Sequence, residues 1–199
     1  MFKNLINKLN SDFSIKSIPL LLICVAINVL GNNLSIALKL PFWLDSIGTA
    51  MCACILGPLA GAVTGLAGNL IVSVFYPQQF FYTIISITDG IIAGLLLPKK
   101  SFDLFQTFLT AALAAVVGIA FATPLNLIFL GGYTNNIWGD ALFDMVQQNG
   151  LPATLCAVLG EGFVAIPDKA LTMLVAVAAV HSFNKFCGIF RKKEKEDSV

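Results

Sequence analysis

The sequence predicts an all-α membrane protein with six transmembrane helices, and two observations carry this prediction. Hydrophobic residues make up 57% of the 199 residues and charged residues only 12%, which is about half the charged share of soluble domains. Long apolar stretches recur along the chain, and at about 20 residues per crossing its length allows roughly six to eight spans. We therefore expect one transmembrane domain over residues 1–199, with a charged tail at 184–199.

The predicted spans are 17–38, 44–57, 59–76, 80–97, 104–130 and 151–175. The second span is too short to cross the hydrocarbon core alone, and Gly57-Pro58 after it predicts a tight hairpin into the third. Ahead of the first span, residues 2–13 place apolar side chains at helical spacing. This pattern is typical either of a helix lying on the membrane surface or of a frayed terminus.

Lysine and arginine positions predict the orientation of the spans. With the N-terminus inside, ten of the twelve basic residues fall on the cytoplasmic side, as the positive-inside rule requires. We therefore expect a multi-pass protein of the cell membrane with both termini in the cytoplasm. Lys39 is an exception on the outer side. At ~1.5 Å per residue, Lys169 falls ~27 Å from the outer end of the last span. We therefore expect Asp168 and Lys169 to lie near the inner interface and to have a structural role.

The long connection at 131–150 predicts a short amphipathic helix. Trp138, Leu142, Met145 and Val146 fall on one face of such a helix, and glycines bound the segment. A helix of this kind lies at the membrane interface. It acts either as a movable lid or as a plain connector.

Polar side chains within the spans carry the functional information, because an aspartate in hydrocarbon costs about 2.5–3.5 kcal/mol on insertion scales. They recur at helical spacing, which gives each helix one polar stripe in its outer half. Such stripes either hydrogen bond between helices or line an outward-opening cavity, and their number favours the cavity. The residues predicted from these stripes to bind a small polar organic molecule are Asn28, Asn32, Asn69, Tyr76, Tyr82, Ser86, Asp89, Asn126 and Glu161.

Other functional classes lack support in the sequence. The net charge of +1 is spread along the chain, which argues against a nucleic-acid partner. Phosphate-binding loops and hydrolase motifs are missing, and His181 is the single histidine, so we expect no catalytic residues, no metal and no cofactor. The best case for an enzyme is a proton shared between Asp89 and Glu161.

Two series of small residues predict close contacts between helices. Gly57, Gly61 and Gly65 form one series, and Ala114, Gly118 and Ala122 form the other. Small residues at every fourth position let helices approach closely. The contact is made either within the chain or with a partner subunit.

One motif resembles a known family. Residues 40–49 read LPFWLDSIGT, followed by Leu56-Gly57-Pro58 and a glycine-rich run from Gly61 to Leu70. This pattern resembles the substrate-binding S components of energy-coupling-factor (ECF) vitamin transporters, particularly the riboflavin-type group. The similarity covers essentially the whole chain in length, six-span layout and cytoplasmic termini.

The resemblance implies high-affinity capture of a vitamin-like, nucleobase-like or similar heterocyclic micronutrient from outside. It also implies partnership with a T component and two ATPase subunits, which would hydrolyse the ATP. The loop from Lys39 to Asp45 would then cover the ligand, with Trp43 stacking on a ring and Asp45 accepting hydrogen bonds. A ligand-sensing membrane module and the acid-pair enzyme are the alternatives.

S components often contact the T component through an Ala-x3-Ala pattern in the first helix. The nearest match here, Gly31-x3-Ser35, lies close to the outer end of its span. We therefore expect the glycine series of the second and third spans to form the coupling surface instead.

Overall fold

The computed structural model describes residues 17–98 and 102–196, and it is all-helical over these residues, with 83% helix and no strand. The predicted surface helix at 2–13 and the last three residues of the charged tail lie outside the described part. The α-helices are α1 (Ile18–Leu38), α2 (Ile47–Leu56), α3 (Pro58–Ser73), α4 (Thr83–Leu96), α5 (Leu104–Leu130), α6 (Ile137–Gln148) and α7 (Ala153–Glu196), with a short 3-10 helix, Pro77–Phe80, between α3 and α4.

Each predicted span is a helix, and the short helix expected in the 131–150 connection is α6. Three segments are long and apolar enough to cross a membrane: α1, α5 and the Ala153–Phe183 part of α7. The helices α2, α3 and α4 are apolar but shorter. Gly57, at a φ of 102°, links α2 directly to Pro58 at the start of α3, which confirms the predicted hairpin.

The short helix α2 lies at the centre of the bundle. It packs against α1, α3, α4 and α7, and six of its ten residues are buried. Its N-terminus lies beside the middle of α1, where the Asn28 Nδ2 donates to Thr49 Oγ1 at 2.8 Å and the Asn28 Oδ1 accepts from the Thr49 N–H at 3.2 Å. Residues 39–46 therefore descend from the end of α1 to the midpoint of the bundle.

The interior of the bundle is built mainly from small side chains. One core cluster contains Ala50, Ala53, Ala93, Ala111, Ala114 and Ala176. Small residues of this kind allow the close helix packing that is typical of membrane proteins. The four described cysteines, Cys24, Cys52, Cys54 and Cys156, are free thiols buried in the same interior.

Close packing of α3 on α4 uses the first predicted glycine series. A Cβ added to Gly61 would lie 2.9 Å from the Gly90 carbonyl oxygen, and one added to Gly65 would collide with the Ser86 carbonyl. Both glycines are thus buried against α4 within the chain. The expectation that this series forms a coupling surface for a T component is wrong, because α4 already covers Gly61 and Gly65.

Large apolar side chains cover the outside of the bundle. More than half of the side chain is exposed at Leu22, Leu30, Val74, Phe105, Val116 and Ile128. A protein with small residues inside and large apolar residues outside suits hydrocarbon rather than water as its surroundings. This surface and the three long apolar helices fit a membrane location.

Replacing Gly90 by alanine is expected to destabilise the contact of α3 with α4. The added Cβ would collide with the backbone of Gly61 and Ala62, and such overpacking costs roughly 1–3 kcal/mol in the free energy of unfolding. Gly118→Ala is the matched control, since its Cβ would lie 3.7 Å from Ile85 Cγ2 and alanine favours helix by about 1 kcal/mol over glycine. Thermal unfolding of the purified variants in detergent measures the difference. Equal melting temperatures for the two variants would contradict the packing described.

Candidate functional site

A buried cluster of charges lies between α4 and α7. The Lys169 ammonium group is 2.6 Å from Asp89 Oδ2 and 3.5 Å from Asp168 Oδ2, and all three side chains are at most 5% exposed. Lys169 also donates to Ser46 Oγ at 3.3 Å, just before α2 begins. An ammonium group inside an apolar bundle is tolerated only when carboxylates pair with it, so this cluster ties α4, α7 and the start of α2 together.

The expected position of Asp168 and Lys169 near the inner interface is wrong. The predicted span ended at residue 175, whereas the apolar part of α7 continues to Phe183. Residue 168 is the midpoint of Ala153–Phe183, so these two charges lie at the middle of the apolar segment. Their depth makes them part of the polar centre of the bundle.

Asp168 holds the descending segment 39–46 in place. Its Oδ1 accepts hydrogen bonds from the backbone N–H groups of Trp43 (2.8 Å) and Leu44 (2.9 Å). Non-helical backbone inside a helical bundle needs such partners, because its N–H groups have no partner within a helix. Leu44 has a φ of 54°, a conformation that is costly for a leucine and that these hydrogen bonds help to maintain.

The outer half of α1 supports the same segment. The Ser35 hydroxyl donates to the Phe42 carbonyl oxygen, and a Cβ on Gly31 would collide with the Leu44 carbonyl. Gly31 and Ser35 therefore hold segment 39–46 against α1. This contact explains the small residues of the Gly31-x3-Ser35 pattern without a partner subunit.

A deep cavity lies beside the charge cluster, with about 630 Å³ of space between atoms including its mouth. Segment 39–46, the 3-10 helix, α3, α4, α5, α7 and the residues before α6 all contribute to its wall. The lining residues are Trp43, Asp45, Asn69, Gln78, Gln79, Tyr82, Ile85, Ser86, Gly118, Thr134, Asn135, Glu161, Ala165 and Lys169. The wall thus combines two aromatic rings with carboxyl, amide and hydroxyl groups, which is typical of a site for a small polar ligand.

Hydrogen bonds between helices fix several of these side chains. The Tyr82 hydroxyl donates to Asn126 Oδ1 at 2.5 Å, and Asn126 Nδ2 donates to Glu161 Oε2 at 2.8 Å. The Asn69 Nδ2 donates to Ser86 Oγ at 2.9 Å. Asn126 is fully buried and does not line this cavity, so it orients Tyr82 and Glu161 from behind.

A rim cavity lies next to the deep cavity, at the ends of α1 and α3, with about 920 Å³ of space including its opening. Trp43, Gln78, Gln79 and Asn135 line both cavities and form the wall between them. The other lining residues of the rim cavity are Asn32, Ser35, Ile36, Lys39, Leu40, Tyr76, Asn136 and Ile137. Asn32 is 2% exposed and its Oδ1 has no hydrogen-bond partner in the described part of the chain.

The helix α6 closes the site from the side. Asn136 caps this helix, and its Nδ2 donates to the Leu40 carbonyl, while Trp138 Nε1 donates to the Lys39 carbonyl. The buried face of α6 consists of Gly139 and Phe143. Trp138 and Met145, on the predicted apolar face, are about half exposed.

Outside the apolar helices, the Tyr133 hydroxyl donates to Asp144 Oδ1 at 2.7 Å. This hydrogen bond raises the pKa of Tyr133 above its usual range.

Eight of the eleven predicted site residues line a cavity. Six line the deep cavity, namely Trp43, Asp45, Asn69, Tyr82, Ser86 and Glu161, and Asn32 and Tyr76 line the rim cavity. The other three, Asn28, Asp89 and Asn126, are buried in hydrogen bonds or ion pairs between helices. Asp89 pairs with Lys169, and Glu161 bonds with Asn126, so the two carboxyl groups of the acid-pair hypothesis have different partners.

Sequence reasoning missed Lys169, Gln78, Gln79, Thr134 and Asn135. Extending the last span to Phe183 would have placed Lys169 at mid-depth. The other four are in connections, where helical spacing gives no signal. Within the described ranges, no three His, Cys, Asp or Glu side chains come together in a way that would hold a metal ion.

No known protein family matches this chain, and no curated protein or solved structure matches it.

Removing the buried ammonium group is expected to destabilise the fold. Lys169→Met leaves Asp89 and Asp168 without a counter-charge, and breaking a buried ion pair in this way costs roughly 3–5 kcal/mol. The double variant Asp89→Asn with Lys169→Met should regain part of the loss, because one buried carboxylate is removed as well. Lys185→Met, at an exposed position on the same helix, is the control. Thermal unfolding measures the effect, and a Lys169→Met protein that melts with the wild type would contradict it.

Loss of the Asp168 carboxylate is expected to increase the rate of amide hydrogen exchange in segment 39–46. Asp168→Ala removes the acceptor for the N–H groups of Trp43 and Leu44, so peptides covering 40–46 should exchange faster. Asp144→Ala, which removes an exposed carboxylate on α6, is the control and should leave these peptides unchanged. Hydrogen–deuterium exchange with mass spectrometry measures both. Equal protection of 40–46 in wild type and Asp168→Ala would show that the segment is held by other contacts.

Proposed function

We propose that this protein is the substrate-binding S component of an ECF transporter, and that it captures a vitamin-like or other heterocyclic micronutrient from outside the cell. One observation carries the proposal: a polar cavity lined by Trp43, Tyr82 and carboxyl groups lies inside an otherwise apolar helical bundle. A soluble substrate is the kind of partner that such a cavity suits, because lipid tails offer nothing to its polar groups.

In the proposed topology, α1, α2, α3, α4, α5 and α7 are six membrane spans and α6 lies at the outer interface. The helix α2 is only ten residues long, and segment 39–46 completes its span as irregular backbone. Such backbone is tolerated at membrane depth where it lines a cavity or is buried in protein. The distribution of basic residues along the sequence supports cytoplasmic termini and a cell-membrane location.

The cavities would then face outward. Both are built at the end of the bundle that carries segment 39–46, the 3-10 helix and the residues before α6. Each of these is a connection on the outer side in the proposed topology.

The sequence resemblance adds partners to this proposal. The motif LPFWLDSIGT at 40–49 spans the segment that Asp168 holds and the first residues of α2. Partnership with a T component and two ATPase subunits follows from the resemblance, and energy for uptake would come from those ATPases. A ligand-sensing membrane module remains the second candidate, because the same cavity would serve a sensor.

Ligand capture is expected to change the fluorescence of Trp43, since this ring lines both cavities. The sequence has two tryptophans, so Trp138→Phe leaves Trp43 as the single reporter and Trp43→Phe leaves Trp138. Titration of the purified protein with a panel of vitamins and nucleosides should give a saturable change in Trp138→Phe and none in Trp43→Phe. Melting temperatures of both variants measure ligand stabilisation independently. A full panel without fluorescence change or stabilisation would count against a micronutrient site.

Partner association separates the transporter from the sensor. When the tagged protein is purified from its native membranes, we expect a T component and two ATPases bearing phosphate-binding loops to co-purify. The matched control is an unrelated tagged membrane protein of similar size from the same membranes. Recovery of a kinase or other signalling output protein instead, with no ATPase, would favour the sensing module.

A further inference from the structure

We infer that the deep cavity selects an organic cation: a planar group that carries a positive charge and N–H donors, such as an amidinium or a protonated amino-heterocycle. This inference rests on the proposed function in one respect, since it names the chemistry of the ligand that the cavity would capture. It is carried by the hydrogen-bonding capacity that the cavity wall leaves unused.

The one ammonium group in the wall is already engaged. Lys169 faces Asp89 Oδ2, Asp168 Oδ2 and Ser46 Oγ at 2.6, 3.5 and 3.3 Å. The two carboxylate contacts are ion pairs and the third is a hydrogen bond, so the ammonium charge is balanced by its own neighbours. Lys169 therefore lines the cavity as part of a charge-paired cluster, and it is not an unpaired cation that would attract an anionic ligand.

Each of the two carboxyl groups in the cavity wall accepts a hydrogen bond through only one of its oxygens, within the described residues. Glu161 is 6% exposed, its Oε2 accepts from Asn126, and no hydrogen bond reaches its Oε1 within the described residues. Asp45 accepts from the Ser46 hydroxyl through Oδ1, and its Oδ2 likewise receives no hydrogen bond from the described part. A carboxylate oxygen of a cavity-lining residue that has no protein donor is open to accept a hydrogen bond from a ligand. Two such oxygens in one cavity favour a ligand that brings the missing donors.

The balance of charge points the same way. Four carboxyl groups, those of Asp45, Asp89, Glu161 and Asp168, stand against the single ammonium group of Lys169. This excess repels an anion and attracts a cation. The rings of Trp43 and Tyr82 lie in the same wall, and aromatic faces bind cations, planar ones in particular.

A matched series of three probes tests this charge preference. Benzamidine, benzamide and benzoate share one ring and nearly one shape, but they carry charges of +1, 0 and −1. We expect benzamidine to bind the full-length protein in detergent about tenfold more tightly than benzamide, as a charge-assisted hydrogen bond implies, and benzoate to show no binding. Benzamide or benzoate binding as tightly as benzamidine, or no binding by any of the three, would overturn the inference.

Two substitutions assign the preference to the cavity. Glu161→Gln keeps the shape of the side chain and removes its charge, so the tenfold preference for benzamidine should be lost. Asp45→Asn, at a half-buried position in segment 39–46, is expected to reduce the preference and serves if Glu161→Gln does not fold. Asp144→Asn removes an exposed carboxylate on α6 and should leave the preference intact. A preference unchanged in every folded cavity variant, or lost equally in Asp144→Asn, would overturn the assignment.

These outcomes are distinguishable from those of the transporter proposal. Selective binding of benzamidine without any associated T component would refute the transporter role and keep the cationic site. Co-purification of a T component and ATPases with a protein that prefers benzoate would refute the cationic site alone.

Discussion

The burial of Lys169 between Asp89 and Asp168 is the interaction on which the rest of the site depends. An apolar bundle holds an ammonium group only beside carboxylates, so α4 and α7 are fixed in register at this depth. Asp168 then uses its second oxygen to bind the backbone of segment 39–46. That segment brings Trp43 and Asp45 to the wall of the deep cavity. The position of segment 39–46 and the shape of the deep cavity therefore both depend on this ion-pair cluster.

Hydropathy and the positions of helix-ending residues were sufficient to predict the helices. Each of the six predicted spans begins within a few residues of the observed helix, because Gly, Pro and charged residues mark the ends of apolar stretches. The end of the last span was misplaced, because the prediction stopped at residue 175 although the apolar stretch continues through Val180 and the apolar helical segment runs to Phe183. Because of that one misplaced boundary, the prediction put Lys169 at the periphery of the site and not at its centre.

The site was only partly predictable, for a physical reason. Helical spacing identifies which polar side chains share a face, but it does not say whether a face meets a cavity or another helix. Asn69 and Glu161 line the deep cavity, whereas the amide groups of Asn28 and Asn126 form hydrogen bonds with neighbouring helices. Both interpretations of a polar stripe are therefore realised in one bundle. Wall residues in connections, such as Gln78 and Asn135, have no periodicity from which to predict them.

The pairing of Asp89 with Lys169 also constrains how the protein is made. Lys169 follows Asp89 by 80 residues in the sequence, so α4 leaves the ribosome well before its counter-charge has been synthesised. Until α7 has been made, the carboxyl group of Asp89 has to be protonated or hydrated. The helix α7 therefore supplies the counter-charge for a helix synthesised earlier, and a nascent chain that stops before residue 169 carries Asp89 without Lys169.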